Sequence, residues 1–147
     1  MRWGSINTKQ FEELQKRVEQ LQQSDMDEFC RKIAKELASR LLRMVRYRTP
    51  VDSGNLRRNW QMDKGAVYSD NEYTIHIYNV TEYAIYVEYG HRQQVGRYVP
   101  ALGKKLKKGW VEGRFMLTKS EILLGNKVEQ IIAQRLNEFL GDKLNGK

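Results

Sequence analysis

The hydrophobic positions in the first third of the chain recur at helical spacing, in two successive stripes. The first stripe follows Thr8, a residue type that caps helix starts. Its members lie three or four residues apart: Phe11, Leu14, Val18 and Leu21. A helix with so narrow a stripe is marginal by itself in water. We therefore expect residues 8–23 either to fold back on the core or to project as an arm that grips a neighbour.

A second, wider stripe predicts the main core helix over residues 26–47. Asp25 with Glu28 three residues later has the form of a capping box, which restarts a helix. The apolar positions then continue at helical spacing: Phe29, Ile33, Leu37, Leu41 and Met44 or Val45. Because Pro50 disfavours helical geometry in the residue before it, the helix is predicted to end near Tyr47.

Residues 49–60, TPVDSGNLRRNW, have the composition of a short, capped helix. A side-chain oxygen of Asp52 or Ser53 can accept hydrogen bonds from the first N–H groups of that helix. An apolar pair, Leu56 and Trp60, is predicted on its inner face. Proline fixes the approach of the chain, and glycine allows close packing. Four positions are therefore assigned a structural role: Pro50, Asp52, Gly54 and Leu56.

In the middle of the chain the hydrophobic period changes to two, which indicates strands. Residues 66–68 and 72–79 are predicted to pair as a hairpin around the Asp70-Asn71 turn. Residues 83–89, rich in aromatic and β-branched side chains, are predicted as a further strand. Together these strands would form a small antiparallel meander with one face on the main core helix.

The rest of the chain is predicted as an irregular segment, a short strand and a long helix. The irregular segment covers residues 90–112, and residues 114–117 are predicted as a strand. Thr118 and Glu121 have the spacing of a capping box. The helix that they would begin carries apolar residues at helical spacing and is predicted to stop near Gly141.

These elements predict the α+β class: long N-terminal helices and a C-terminal helix packed on a small three- to four-stranded antiparallel sheet. A length of 147 residues fits a single domain over residues 1–147. No run approaches the roughly 18 apolar residues that a membrane span needs. The single cysteine, Cys30, excludes an internal disulfide and fits a reducing compartment.

The net charge of +8 is concentrated in one part of the chain. Most charged regions mix both signs, but residues 89–111 contain six basic residues and no acidic one. They are Arg92, Arg97, Lys104, Lys105, Lys107 and Lys108. Such a block either attracts polyanions or an acidic protein surface, or is a mobile loop that its charge keeps soluble.

No motif in the chain predicts catalysis. The two histidines, His76 and His91, and Cys30 lie in unrelated segments without the spacing of metal ligands. Ser53 lacks the strand–turn–helix surroundings of a nucleophile elbow. Residues 98–105 lack the first glycine and the Ser or Thr of a phosphate-binding loop. We therefore expect no catalytic, metal-binding or cofactor-binding residues, no cofactor, and no enzymatic activity.

Two segments resemble the tail-component family of tailed bacteriophages, small neck or tail-completion proteins related to the minor tail protein Z group. They are TPVDSGNLR at 49–57 and YAIYVEYG at 83–90. The usual family forms are Thr-Pro-Val-Asp-Thr-Gly-x-Leu-Arg and Tyr-Ala-x-Tyr-Val-Glu-Phe/Tyr-Gly-Thr, so Ser53 and His91 are departures. The likeness extends from about Phe29 to Phe139. The second motif assigns structural roles to three more residues: Tyr83, Tyr86 and Gly90.

The resemblance implies a non-enzymatic virion protein at the head–tail junction or the tail end, present in the host cytoplasm during assembly. Its partners would be copies of itself in a ring and other neck and tail proteins, such as the connector, terminator and tube. No membrane is expected. We expect Tyr83, Tyr86 and Trp60 in the core. The predicted interface residues are mainly charged: Arg57, Arg58, Glu88, His91, Arg92, Arg97, Lys104, Lys105, Lys107 and Lys108.

The alternative interpretation is a small basic nucleic-acid-binding phage protein. The net charge and the run of lysines at 104–108 favour it. Against it, no predicted helix clusters basic residues as a recognition helix does, and the strands carry no RNA-binding signature. Nucleic acid is therefore the second choice of partner.

Overall fold

The computed structural model describes residues 23–145 together with Lys9, Glu12 and Lys16. Within these residues the chain forms two long helices, two short helices and eight strands of two or three residues each. The helices are α1 (Gln23–Arg48), α2 (Asn55–Arg58), α3 (Ala84–Tyr89) and α4 (Met116–Leu144). The strands are β1 (Trp60–Met62), β2 (Val67–Ser69), β3 (Glu72–Thr74), β4 (Ile77–Asn79), β5 (Gly90–Arg92), β6 (Tyr98–Val99), β7 (Lys104–Lys105) and β8 (Trp110–Glu112).

The expected α+β class, with long helices and small antiparallel strands, is confirmed. The strands pair in twos: β1 with β4, β2 with β3, β5 with β8, and β6 with β7. The first two pairs belong to one hairpin, in which residues 63–66 oppose only residues 75 and 76. This bulge of two extra residues interrupts the ladder. As predicted, Asp70 and Asn71 form the turn, both with left-handed backbone (φ 52° and 64°).

The main core helix is confirmed as α1, which ends at Arg48, one residue beyond the predicted end. It is already helical at Gln23, so the Asp25–Glu28 pair does not start it. The predicted helix over residues 8–23 lies largely outside the described residues. Lys9, Glu12 and Lys16 are helical and exposed, and the choice between a packed helix and an arm stays a prediction. No helix in the described part of the chain is long and apolar enough to cross a membrane.

Three predictions in the second half of the chain are wrong. Residues 84–89 form the helix α3 and not a strand, because their inward positions follow a helical period: Ala84, Val87 and Glu88. Residues 90–112 are not irregular but form a second hairpin. Residues 114–117 are not a strand, since α4 begins at Met116 after a left-handed Phe115 (φ 51°).

The core lies where α1, α2, β1 and the start of α4 meet. Four buried side chains form its centre: Val45, Leu56, Trp60 and Met116. Leu41, Ile77 and Val87 pack around them. Leu56 and Trp60 are both inside, as predicted, although Trp60 belongs to β1 and not to the short helix.

The two long helices are joined by an ion-pair network around Glu36. The carboxylate of Glu36 lies 2.9 Å from Arg135 Nε on α4 and 2.8 Å from Arg40 Nη2 on α1. Further along the helix pair, the rings of Phe29 and Phe139 stack with centroids 4.8 Å apart. The hydrogen bond from Arg135, followed by that from Arg40, lowers the pKa of Glu36 from 4.5 to about 2.

This network predicts an acid-sensitive contribution to stability. The pKa of Glu36 is lower in the folded chain than in the unfolded chain, so its contribution is complete above about pH 4.5 and is lost as the pH falls towards about 2. Glu36→Gln should therefore destabilise the protein near neutral pH. The difference from wild type in urea-unfolding free energy should shrink steadily on acidification. Glu121→Gln, on the exposed side of α4, is the control, and an equal pH dependence in both variants would contradict the assignment.

Candidate assembly interface

The first signature segment folds around Thr49, whose side chain is 1% exposed. Its hydroxyl donates to the carbonyl oxygen of Val45 (2.7 Å) and accepts from Trp60 Nε1 (2.8 Å). Its carbonyl oxygen accepts from Arg57 Nη2 (2.8 Å). One residue thus joins the end of α1 to α2 and β1, and the segment holds the core together.

The turn before α2 contains three of the residues to which the sequence assigned a structural role: Pro50, Asp52 and Gly54. Gly54 has a left-handed backbone (φ 80°), and a side chain there would meet the guanidinium of Arg58. Ser53 Oγ accepts from the backbone N–H of Asn55 at 3.3 Å, as expected for one of the two candidate caps. Pro50 and Asp52 are exposed.

The two arginines predicted as interface residues differ in their surroundings. Arg57 is half-buried and donates to Thr49, and its Nε is enclosed without a hydrogen-bond partner. Arg58 is exposed and makes one long hydrogen bond, of 3.3 Å, to the carbonyl of Ser53. Arg58 is therefore the more exposed of the two.

Glu88 caps α4 from a distance in sequence. It is 5% exposed, and its carboxylate accepts from the backbone N–H groups of Leu117 (3.0 Å) and Thr118 (2.9 Å) and from the Thr118 hydroxyl (2.7 Å). A carboxylate at the N-terminus of a helix accepts hydrogen bonds from the unpaired N–H groups there and interacts favourably with the helix dipole. Glu88 therefore takes the place of the predicted Thr118–Glu121 cap. Glu88 was predicted to lie at an interface, but its side chain is enclosed within its own chain.

The outer side of α3 is apolar and aromatic. We call Tyr83, Ile85, Tyr86 and Tyr89 the α3 face; each is between 44 and 59% exposed. The expectation that Tyr83 and Tyr86 lie in the core is wrong, because Ala84, Val87 and Glu88 take the inward positions. Tyr83 is held in place by a hydrogen bond from Asn55 Nδ2 to its hydroxyl (3.1 Å).

Residues 90–112 form what we call the basic hairpin. Its ladder pairs β5 with β8 and β6 with β7, and residues 93–97 oppose residues 106–109, a bulge of one residue. Backbone hydrogen bonds cross this bulge, from Gly96 N to Leu106 O (2.7 Å) and from Leu106 N to Arg97 O (2.8 Å). The irregular appearance of the sequence reflects the bulge and the short strands.

The base of the basic hairpin is locked to α3 and α4. Gly90 has φ 85°, and a side chain there would overlap the carbonyl of Val111. A side chain on Gly113 would overlap the carbonyl of Glu88. Two backbone hydrogen bonds, from Arg114 to Val87 (2.7 Å) and from Phe115 to Glu88 (3.0 Å), complete the junction. Gly90 thus allows the backbone at the end of α3 to lie close to the backbone of Val111 and Gly113.

Beyond its base, the basic hairpin is almost entirely exposed. Val95, Tyr98 and Leu102 are between 56 and 64% exposed. Its six basic side chains are also exposed, and none makes an ion pair or a side-chain hydrogen bond to another described residue: Arg92, Arg97, Lys104, Lys105, Lys107 and Lys108. His91 differs, since its ring lies edge-on to Tyr86 with centroids 6.0 Å apart and its Nδ1 is enclosed without a partner.

The described residues contain no cluster of three or more His, Cys, Asp or Glu side chains that could hold a metal ion. His76 is paired with Asp63 (2.8 Å) on the surface of the first hairpin. The surface instead exposes side chains that can contact other molecules: tyrosines on the α3 face and, beside them, the cations of the basic hairpin. These are the features of a protein that binds other macromolecules.

Comparison with known families agrees with that class. The family model described as "Bacteriophage HK97-gp10, putative tail-component" matches residues 12–90, which is more than half of the chain. The chain therefore belongs to this family of bacteriophage tail components, as the two motifs indicate. The match covers both motifs and ends where the basic hairpin begins. No curated protein sequence and no solved structure matches the chain.

Proposed function

We propose that this chain is a non-catalytic structural protein of a tailed-phage virion, which assembles as a ring at the head–tail neck or completes the tail. Membership of the tail-component family supports the structural role. Its neighbours would be further copies of itself and other neck and tail proteins, such as the connector, terminator and tube. It would be made in the host cytoplasm and then built into the virion.

The observation that carries the proposal is the basic hairpin. A two-stranded ribbon is marginally stable in water unless something packs on it. Among the described residues the ribbon is anchored only at its base, while the rest of it exposes Val95, Tyr98 and Leu102 beside six cations that pair with no other described residue. Such an arm would bury this surface when it enters a complementary site on another protein.

Two different exposed surfaces on one protomer support assembly as a ring. The basic hairpin is cationic and repels a second copy of itself, whereas the aromatic α3 face attracts cations. Unlike surfaces join copies head-to-tail, and such contacts close into a ring when the rotation between copies allows it. The predicted interface residues that remain on the surface, including Arg58 and the hairpin cations, belong to these contacts.

The proposal is tested by shortening the basic hairpin. Residues 94–107 are replaced by an Asn-Gly turn, which keeps β5, β8 and the locked base. The shortened chain should fold with a nearly unchanged melting temperature but fail to restore particle production to a phage lacking this gene. A control chain with Lys127→Glu on the exposed side of α4 should restore it. Full restoration by the shortened chain would contradict the proposal.

The same hairpin also favours nucleic-acid binding as a second candidate function, because six clustered cations attract phosphates. Binding of the purified protein to random duplex DNA, measured over a series of salt concentrations, separates the two. Several phosphate contacts would give a steep loss of affinity with salt. If the role is structural, DNA binding should be weak. Hairpin variants should then show particle defects even where they bind DNA as the wild-type chain does.

A further inference from the structure

Two exposed carboxylates, Glu82 and Asp52, lie in the segments that adjoin the α3 face. Glu82 lies in the turn that leads into α3, next to Tyr83 in the chain. Asp52 lies in the turn that leads to Asn55, and Asn55 donates to the Tyr83 hydroxyl. Both carboxylates are exposed and make no ion pair or side-chain hydrogen bond to any described residue.

This combination of groups is suited to a cationic partner. The faces of tyrosine rings attract lysine and arginine side chains, most strongly when the contact excludes water. Carboxylates beside such rings add paired, directional hydrogen bonds to the same cations. An apolar residue among them, here Ile85, gives the contact a dry centre. A basic, aromatic ribbon would satisfy all three features.

The chain itself supplies such a ribbon. At its base the ribbon meets the α3 face of its own protomer, where the His91 ring lies edge-on to Tyr86. No basic hairpin residue lies over a ring of the α3 face, and none pairs with Glu82 or Asp52; the cation–π contacts of the described residues involve only Arg31 and Lys143. The locked junction at Gly90 and Gly113 holds the hairpin at the end of α3. Within one protomer, the arginines and lysines of the hairpin therefore make no cation–π contact with the α3 face.

We propose that the basic hairpin of one copy docks on the α3 face of the next copy, with its lysines and arginines against Tyr83, Tyr86 and Tyr89 and paired with Glu82 and Asp52. This inference rests on the proposed function, because it names the surface that receives the hairpin in the ring. Each copy gives one hairpin and receives one, so the contact is head-to-tail. Charge and aromatic complementarity between the two surfaces are its basis.

Cross-linking within purified particles tests the contact directly. In a Cys30→Ala background, one chain carries both Glu82→Cys and Lys105→Cys, and the particles are treated with a short bis-maleimide. A head-to-tail contact should give a ladder of dimers, trimers and higher multimers in denaturing gels. Chains that carry either cysteine alone, or Lys105→Cys with Lys127→Cys on α4, should give no such ladder. Dimers without higher species would indicate a two-fold contact and overturn the proposal.

A charge-exchange experiment tests the same contact without depending on cross-linker reach. Asp52→Lys with Glu82→Lys, and separately Lys104→Glu with Lys105→Glu, should each lower particle titre about 100-fold, because like charges then oppose one another across the contact. The chain that carries all four changes should recover at least about tenfold, since opposite charges meet again. Melting curves of all three chains show whether each variant folds.

The outcomes separate this inference from the proposed function. The chain could be present in particles while the ladder is missing and the titre of the variant with all four changes does not recover. In that case the hairpin docks elsewhere, and this inference fails while the proposed function stands. If the hairpin variant lowers the titre but the Asp52 and Glu82 variant does not, the hairpin does not bind the α3 face, and the inference again fails. If the chain is absent from the particles, the proposed function fails with it.

Discussion

Replacing Trp60 with alanine is expected to lower the free energy of unfolding by about 3–5 kcal/mol, the usual cost of removing a large aromatic side chain from a core. Trp60 is 4% exposed and packs with Val45, Leu56 and Met116. Its indole N–H also donates to the buried hydroxyl of Thr49, which would lose a partner. Because small domains are stable by only about 5–15 kcal/mol, this single change removes a large part of the total.

Urea unfolding followed by circular dichroism measures this effect, and Trp110→Ala is the matched control. Trp110 is 43% exposed on the basic hairpin, so its replacement should cost about 1 kcal/mol or less. Trp60→Phe should lie between wild type and Trp60→Ala, since it keeps most of the volume but loses the hydrogen bond. Equal losses for the two tryptophan-to-alanine changes would contradict the assigned core.

Replacing Glu88 with alanine is expected to cost about 3 kcal/mol, because a carboxylate that caps buried groups contributes about 1.5–3 kcal/mol and leaves unpaired donors when removed. Three donors at the start of α4 would lose their acceptor: the N–H groups of Leu117 and Thr118 and the Thr118 hydroxyl. Since the Glu88 backbone also anchors the hairpin base, hydrogen exchange at the start of α4 and in β8 should accelerate together.

Glu82→Ala is the control for this second change, since Glu82 is a nearby, exposed glutamate without a partner among the described residues. Its effect on the stability of the isolated chain should stay within about 0.5 kcal/mol. Glu88→Gln keeps the shape but not the charge, and it should fall between the other two variants. If Glu88→Ala and Glu82→Ala were equally mild, the long-range cap would be wrong.

Regular patterns and local turn chemistry made part of this structure predictable from sequence. The apolar stripe of α1, the stop imposed by Pro50 and the Asp70-Asn71 turn each depend on residues close together in the chain. The two motifs indicated the family, which the match over residues 12–90 confirms. In all these cases the physical cause lies within a few residues of its effect.

The failures occurred where distant contacts override local preference. Residues 83–89 have a strand-like composition, yet the burial of Val87 and Glu88 against α4 selects a helix. The cap of α4 comes from Glu88, 29 residues before Leu117, and no local spacing signals such a partner. The basic hairpin was hidden because its strands are short and one bulge breaks their alternation.

The candidate interface was predictable in composition but not in arrangement. The run of basic residues was visible in the sequence, and the structure places it on an exposed ribbon. The aromatic residues of the second motif were expected inside, whereas Tyr83, Tyr86 and Tyr89 form an exposed face. Which aromatic residues face outward depends on the helical period of α3, and that period follows from tertiary packing.

Electron microscopy of lysates from a phage lacking this gene tests the proposed structural role. We expect full heads separated from unattached or malformed tails, and joined particles when the wild-type chain is supplied. Normal, joined particles in the absence of the gene would contradict a structural role at the neck or tail end.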